Sequence, residues 1–223
     1  VLSFIAEKVL RLIGLVDFTK LRKLFTGKEY SLTKEQQDEI WKLLSSGRYI
    51  ILVWRSAHLS SYFISFGHFL LTLRLWVLSG FKGPRPKFGK YSHALINIEE
   101  TDTPLDPSDF ELVEAISKGV VSTPFDKIFN CDRACLLEPI SSGDSHWQPT
   151  ADKALIKIGT PYDFKFDLGD QTEMSCVEFV LYMISVSNAE DSFKELIEYK
   201  EKLKNIDPQV YRDFKGFRVV FEC

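Results

Sequence analysis

Cysteine is scarce and scattered: Cys131, Cys135, Cys176 and Cys223 are the four in 223 residues. That excludes a disulfide-stapled miniprotein, and the single C-x-x-x-C lacks the second pair a structural zinc site needs. The cysteines read as free thiols, and neither a metal nor another cofactor is expected. Charge of one sign is missing too. With 28 Lys+Arg against 31 Asp+Glu, a net of −3 and no block of like charge, the chain has no footprint for a phosphate backbone, so no nucleic-acid partner is expected. Repeats, low-complexity tracts and a clear linker are also lacking. What the chain has in quantity is apolar side chain, 45% of its residues, enough for a real core in one large domain or two small ones. It begins at Val1, with neither Met nor a basic stretch before a small-residue cleavage site, and so reads as a processed or excised piece of a larger polypeptide or assembly. Its compartment is not legible.

Periodicity divides the chain into a strand-rich middle with helices on both sides. Residues 1–46 read as helical: Phe4, Ile5, Val9, Leu12, Ile13 and Val16 recur at three- and four-residue steps, and Thr33 with Gln36 forms a capping box before Ile40, Trp41, Leu43 and Leu44. A short strand is expected over 49–54. Residues 57–81 form an apolar helix on which Ser61, Ser65, His68, Thr72 and Ser79 fall in one narrow stripe. Alternation then predicts a strand over 92–98, with His93, Leu95 and Asn97 on one face and Ala94, Ile96 and Ile98 on the other. A second alternating run puts Phe110, Leu112, Glu114 and Ile116 on a common face and leads through Lys118-Gly119 to Val120 and Val121. Thr123-Pro124 marks a short helix start. A strand over 133–140, a loop over 141–149 and a helix over 151–158 stopped by Gly159 follow. Residues 164–167 are extended, an apolar helix begins near Thr172, a charged amphipathic helix covers 189–205, and 217–221 is a last strand.

The most informative thiol is Cys176, in the first turn of an expected helix and just after Thr172 and Ser175, either of which could cap it. Amide N–H groups and the helix dipole favour an anion there, so a cysteine at that point is a nucleophile in waiting. The same position also suits a buried Cys that packs like a small hydrophobe. A thiolate nucleophile needs a base within hydrogen-bond reach, and the base needs an orienting group on its other nitrogen. His93 starts a strand with polar flanks. Glu114 lies in the apolar run Leu112-Val113-Glu114-Ala115-Ile116, where an unpaired carboxylate is costly, and a hairpin between the two strands would let it share a face with His93. Asn97 and Asp163 are the rivals for the third place.

Four short motifs in a fixed order carry a resemblance. The runs Ser92-His93-Ala94-Leu95-Ile96, Leu112-Val113-Glu114-Ala115 with Gly119-Val120 and Thr123-Pro124, Gly159-Thr160-Pro161-Tyr162-Asp163-Phe164-Lys165-Phe166, and Cys176-Val177-Glu178-Phe179-Val180 resemble the YiiX-type branch of the NlpC-like cysteine peptidases. These are papain-like proteins whose sequence is circularly permuted so that the histidine strand precedes the cysteine helix. The resemblance covers about residues 47–186 and extends weakly to the last strand. It implies an α+β domain with an antiparallel sheet flanked by helices over 47–223, preceded by a helical segment over 1–46. It also implies a nucleophile at Cys176, a general base at His93, an orienting carboxylate at Glu114 and a substrate-lining Tyr162, acting on an amide, ester or thioester carbonyl. The chain departs from the family in having Gly47-Arg48 where Gly-Asp is common, and Val177 where a small residue follows the nucleophile.

The expected activity is that of a cysteine hydrolase cleaving a peptide, cell-wall peptide or isopeptide amide. A thiol acyltransferase or lipid hydrolase is the rival of the same mechanism, and a silent binding or structural module the rival of another class. The helix over 57–81 bears on that choice. Its stretch from Tyr62 to Phe81 has about the ~20 residues that span a bilayer, yet Arg74 lies near its centre at a cost of roughly 2.5 to 3.5 kcal/mol on insertion scales. The expectation is a helix buried under the apolar N-terminal helices, with membrane contact, and so a lipid acyl substrate, as the alternative.

Overall fold

β-Branched and leucine-rich alternation builds a sheet that is apolar on both faces. The computed structural model describes residues 18–26, 30–82, 85–98, 111–140, 149, 151–164, 172–187, 194, 196–198 and 207–223. In chain order these contain α1 (Thr19–Thr26), α2 (Lys34–Leu44), β1 (Ile50–Trp54), α3 (Leu59–Leu78), β2 (His93–Asn97), β3 (Glu111–Ile116), β4 (Gly119–Pro124), a 3-10 turn (Phe125–Phe129), β5 (Arg133–Pro139), α4 (Ala151–Leu155), α5 (Cys176–Ser185), α6 (Pro208–Asp213) and β6 (Phe217–Glu222). The protein is α+β, with a six-stranded sheet in the order β4-β3-β2-β1-β5-β6, antiparallel at every pairing.

Successive residues of one strand serve different layers, as a two-residue repeat requires. Ile50, Leu52, Ala94, Ile96, Val113, Ala115, Cys135 and Leu137 pack in one buried cluster with Val177, Val180, Met183 and Ile184 of α5. Ile51, Val53, Leu95, Leu112, Ala134 and Leu136 belong to a second cluster, with Ile40 and Leu44 of α2 and with Phe125 and Ile128. The Thr33–Gln36 capping box starts α2 as its sequence predicts, and its two fully buried anchors each stabilise the layer by about 1.5 to 3 kcal/mol.

Several elements differ in extent from expectation. The helix expected over 57–81 spans Leu59–Leu78, and α4 ends at Leu155, followed by turns up to Gly159 at φ +90°. Residues 1–17, most of the loop 141–149 and most of the helix expected over 189–205 lie outside the described residues, although 194 and 196–198 are helical. Helix α6 is an element the periodicity did not suggest. Asp207 caps it by accepting from the Gln209 N–H at 2.8 Å, and Pro208 opens its first turn.

The expected burial of α3 is corrected. Its buried residues are Ser61, Ser65 and His68, while Tyr62, Phe63, Phe66, Leu70, Val77 and Leu78 are exposed. The polar stripe turns inward because each member has a partner there: Ser61 Oγ lies 2.7 Å from Ser92 Oγ, Ser65 donates to the Gly89 carbonyl at 2.8 Å, and His68 Nδ1 lies 2.8 Å from Asp207 Oδ2. Three polar contacts therefore decide which face meets the protein, and the apolar residues between them are left outside.

Candidate active site

The site forms where the start of β2 meets the start of α5. Leu95 of β2 stands opposite Glu114 of β3, so His93, two residues back on the same face, is the diagonal neighbour of Glu114. The side chains meet there, His93 Nε2 to Glu114 Oε2 at 2.5 Å. Thr123 of β4 faces the same way, since its register partner is Leu112, and its hydroxyl donates to Glu114 Oε1 at 2.6 Å. Both oxygens of the carboxylate are thus engaged. The sequence reads Thr123-Pro124 as a short helix start, whereas the β3–β4 register sets Thr123 beside Glu114.

Cys176 is the first residue of α5, 2% exposed. Of the two candidate caps, Ser175 takes the position: its Oγ accepts from the Glu178 N–H, and Glu178 Oε2 in turn accepts from the Ser175 N–H at 2.8 Å and hydroxyl at 2.7 Å. Such a box fixes the entry angle of the chain and is worth about 1 kcal/mol. It also leaves the Cys176 N–H among the first-turn amides that have no intrahelical acceptor. Helix α5 rests on β2 and β3, and this brings Cys176 near enough to His93 to act on its charge. Because Nε2 is committed to Glu114, the ring nitrogen left for the sulfur is Nδ1.

The electrostatics follow from this packing. Burial opposes charge on the His93 ring, but contact with Cys176 and with Glu114 outweighs it and pulls the imidazole up to about 9. Burial also works against a charged Glu114, yet the His93 partner, the Arg55 charge and the Thr123 hydroxyl hold its carboxyl down at about 2. Between about pH 2 and 9 the pair is therefore an imidazolium facing a carboxylate. Burial pushes Cys131 and Cys135 up to about 12 and raises Cys223 as well.

Tyr162 completes the surroundings of the sulfur. Burial raises its phenol well above the ordinary value, and so does its hydrogen-bonding contact with Cys176. The ring packs on Phe164 with centroids 4.8 Å apart. Of the rivals to Glu114, Asn97 is spent on structure: its Oδ1 accepts from the Tyr49 N–H at 2.5 Å and its Nδ2 donates to the Leu44 and Gly47 carbonyls. Asp163 is buried and interacts with Glu178. Cys176, His93 and Tyr162 open on a cavity of about 530 Å³, walled on one side by Ile64, Gly67 and Leu71 of α3. Among the described residues no group of His, Cys, Asp and Glu has the arrangement of a metal site.

Comparison with known proteins finds no matching family model, no matching curated protein and no matching solved structure.

Proposed function

We propose that the protein is a cysteine hydrolase that cleaves an acyl bond, an amide first of all, through a thioacyl-enzyme intermediate. The observation that carries this reading is the contact between Cys176 at a helix start and a His93 whose far nitrogen is held by a buried Glu114. In the mechanism the Cys176 thiolate adds to the carbonyl carbon and forms the C–S bond. The Cys176 N–H at the helix start is the natural donor to the oxyanion, with Tyr162 beside the sulfur. His93 then gives its Nδ1 proton to the leaving nitrogen as the C–N bond breaks, and afterwards takes a proton from the water that attacks the thioester, releasing the acid and the thiolate. Glu114, and Thr123 behind it, keep the ring oriented and offset its positive charge. The order His, Glu, Cys on an antiparallel sheet, with the cysteine helix packed on the histidine strand, supports a circularly permuted papain-like domain.

A second reading shares every step but takes a lipid acyl group, or passes the acyl group to an acceptor other than water. The observation favouring it is that the wall of the cavity is α3, whose outer face is apolar and exposed. The test of the common mechanism is iodoacetamide at mildly acidic pH followed by peptide mapping. Cys176 is expected to react well before Cys131, Cys135 and Cys223, and Cys176→Ala and His93→Ala to abolish turnover of amide, ester and thioester substrates alike. Labelling of all four thiols at one rate would overturn the reading in favour of a silent module.

A further inference from the structure

The cavity on which Cys176 opens is also lined by a second histidine–carboxylate pair that the mechanism does not use. His68 of α3 and Asp207, the residue capping α6, both line the cavity, and His68 is 4% exposed. Asp207 Oδ2 lies 2.8 Å from His68 Nδ1, while its Oδ1 accepts from the Gln209 N–H. A carboxylate only accepts, so Nδ1 carries a hydrogen, and in the neutral ring that hydrogen is the only one. That leaves Nε2 as the free end of the ring, and it is buried with no hydrogen-bond partner. A tether between α3 and α6 accounts for Nδ1 and for Asp207. It does not account for a buried nitrogen without a partner, which native structures keep rarely and for a reason.

We infer that His68 Nε2 is an acceptor for a neutral hydrogen-bond donor, a hydroxyl or an amide N–H, carried by the acyl part of the substrate. The inference rests on the proposed thioacyl mechanism, since the acyl group is what stays in the cavity on Cys176. Its position along the cavity follows from α3 itself. Ser61 touches Ser92, the neighbour of His93, and His68 lies two turns further on, roughly 10 Å along the helix axis. Ile64 and Leu71 line the same wall as His68, and Val177 and Phe164 add further apolar surface to the cavity. The site thus selects a chain that is apolar near its carbonyl and bears a polar group several carbons away. A plain alkyl chain would leave Nε2 as unsatisfied as it is now, and this is where discrimination arises.

The test uses a graded series of N-alkyl iodoacetamides on the intact chain, each length made with a methyl, hydroxyl, carboxamide or carboxylate end. At one length, the hydroxyl or carboxamide probe is expected to alkylate Cys176 about tenfold faster than its methyl analogue, the discrimination of one hydrogen bond to a buried neutral acceptor. Which of the two ends wins separates a hydroxyacyl from a peptide-like substrate. His68→Asn keeps a donor to Asp207 and removes the Nε2 acceptor, so it should abolish the preference of the hydroxyl and carboxamide probes over their methyl analogues at every length. A measurement on the unaltered protein stands beside it: the His68 Nε2 resonance in a long-range proton–nitrogen-15 spectrum should move in the adduct of the preferred probe and stay in that of its methyl analogue. Equal rates at every length, a preference for the carboxylate, a preference that survives His68→Asn, or an unmoved resonance would each overturn the inference. Failure of plain iodoacetamide to single out Cys176 would instead overturn the mechanism beneath it.

Discussion

At the scale of single residues, the His93–Glu114 pair ties stability to pH in a defined window. Against the opposing effect of burial, the His93 imidazole rises from its ordinary 6.5 to about 9 in the fold, through Cys176 first and Glu114 second, so its contribution is complete below about 6.5 and is lost as pH climbs through 9, and Glu114 carries part of it. The Glu114 carboxyl falls from 4.5 to about 2, so its contribution is complete above about 4.5 and is lost as pH drops through 2. Glu114→Gln should therefore lower the melting temperature most between about pH 4.5 and 6.5, and progressively less toward pH 9 and pH 2. A penalty independent of pH, followed by calorimetry, would show that packing and not charge dominates there. Activity should fall less for Glu114→Gln than for His93→Ala, because an amide still bonds the ring while losing its charge. Cys176, His93 and Glu114 were legible in the sequence because each breaks its local pattern: a thiol at a helix start, a histidine at a strand start and a carboxylate in an apolar run. Thr123 and the His68–Asp207 pair were not, since their partners become visible only with the strand register or with α6 in place.

At the scale of elements, the segment that carries Tyr162 is held by a strand edge. The Val120 N–H donates to the Thr160 carbonyl at 2.8 Å and the Gly159 N–H to the Val120 carbonyl at 2.9 Å. Gly119 makes the approach close: its φ is +107°, and a Cβ there would stand 2.4 Å from the Thr160 oxygen. Gly119→Ala is expected to cost about 1 to 3 kcal/mol in backbone strain and, by displacing the segment of Tyr162, to change the rate of Cys176 alkylation as well. A variant destabilised to that degree but labelled at the original rate would mean that Tyr162 is not positioned through this contact. The strands and α2 were legible because alternation and a capping box are local signals. The facing of α3 was not, because a helical wheel finds the stripe of Ser61, Ser65 and His68 without saying what lies opposite it. Helix α6 escaped because Pro208–Asp213 is too short for a period, though Asp207-Pro208 is a start signal in its own right.

At the scale of the whole molecule, α3 turns an apolar face to the outside. Tyr62, Phe66 and Leu70 are exposed, the helix has the length and apolar character to cross a membrane, and Arg74, Lys82 and Arg85 beyond its centre are exposed cations. Vesicles of anionic phospholipid should therefore carry the protein upward in a flotation gradient. Phe66→Glu with Leu70→Glu should prevent this without altering the melting temperature, because neither side chain is in the core. Intact protein left at the bottom of the gradient would turn the substrate back toward soluble peptides.

The sheet order bears on how the molecule comes to exist. Strands β2, β3 and β4 are sequential neighbours, whereas β1 closes against β5 only after β2, β3 and β4 have been laid down between them in the chain. The nucleophile lies beyond all of these and meets His93 across that whole span. Contacts of such wide sequence separation must close long loops before they return any stabilisation, which places a chain of this kind among slow folders. The meander of β2, β3 and β4 brings His93, Glu114 and Thr123 together as a local unit, whereas Cys176 reaches them only through the packing of α5 on β2 and β3. On the proposed mechanism, a chain in which only this meander has formed would hold His93, Glu114 and Thr123 without Cys176, and reactivity would await the complete tertiary structure.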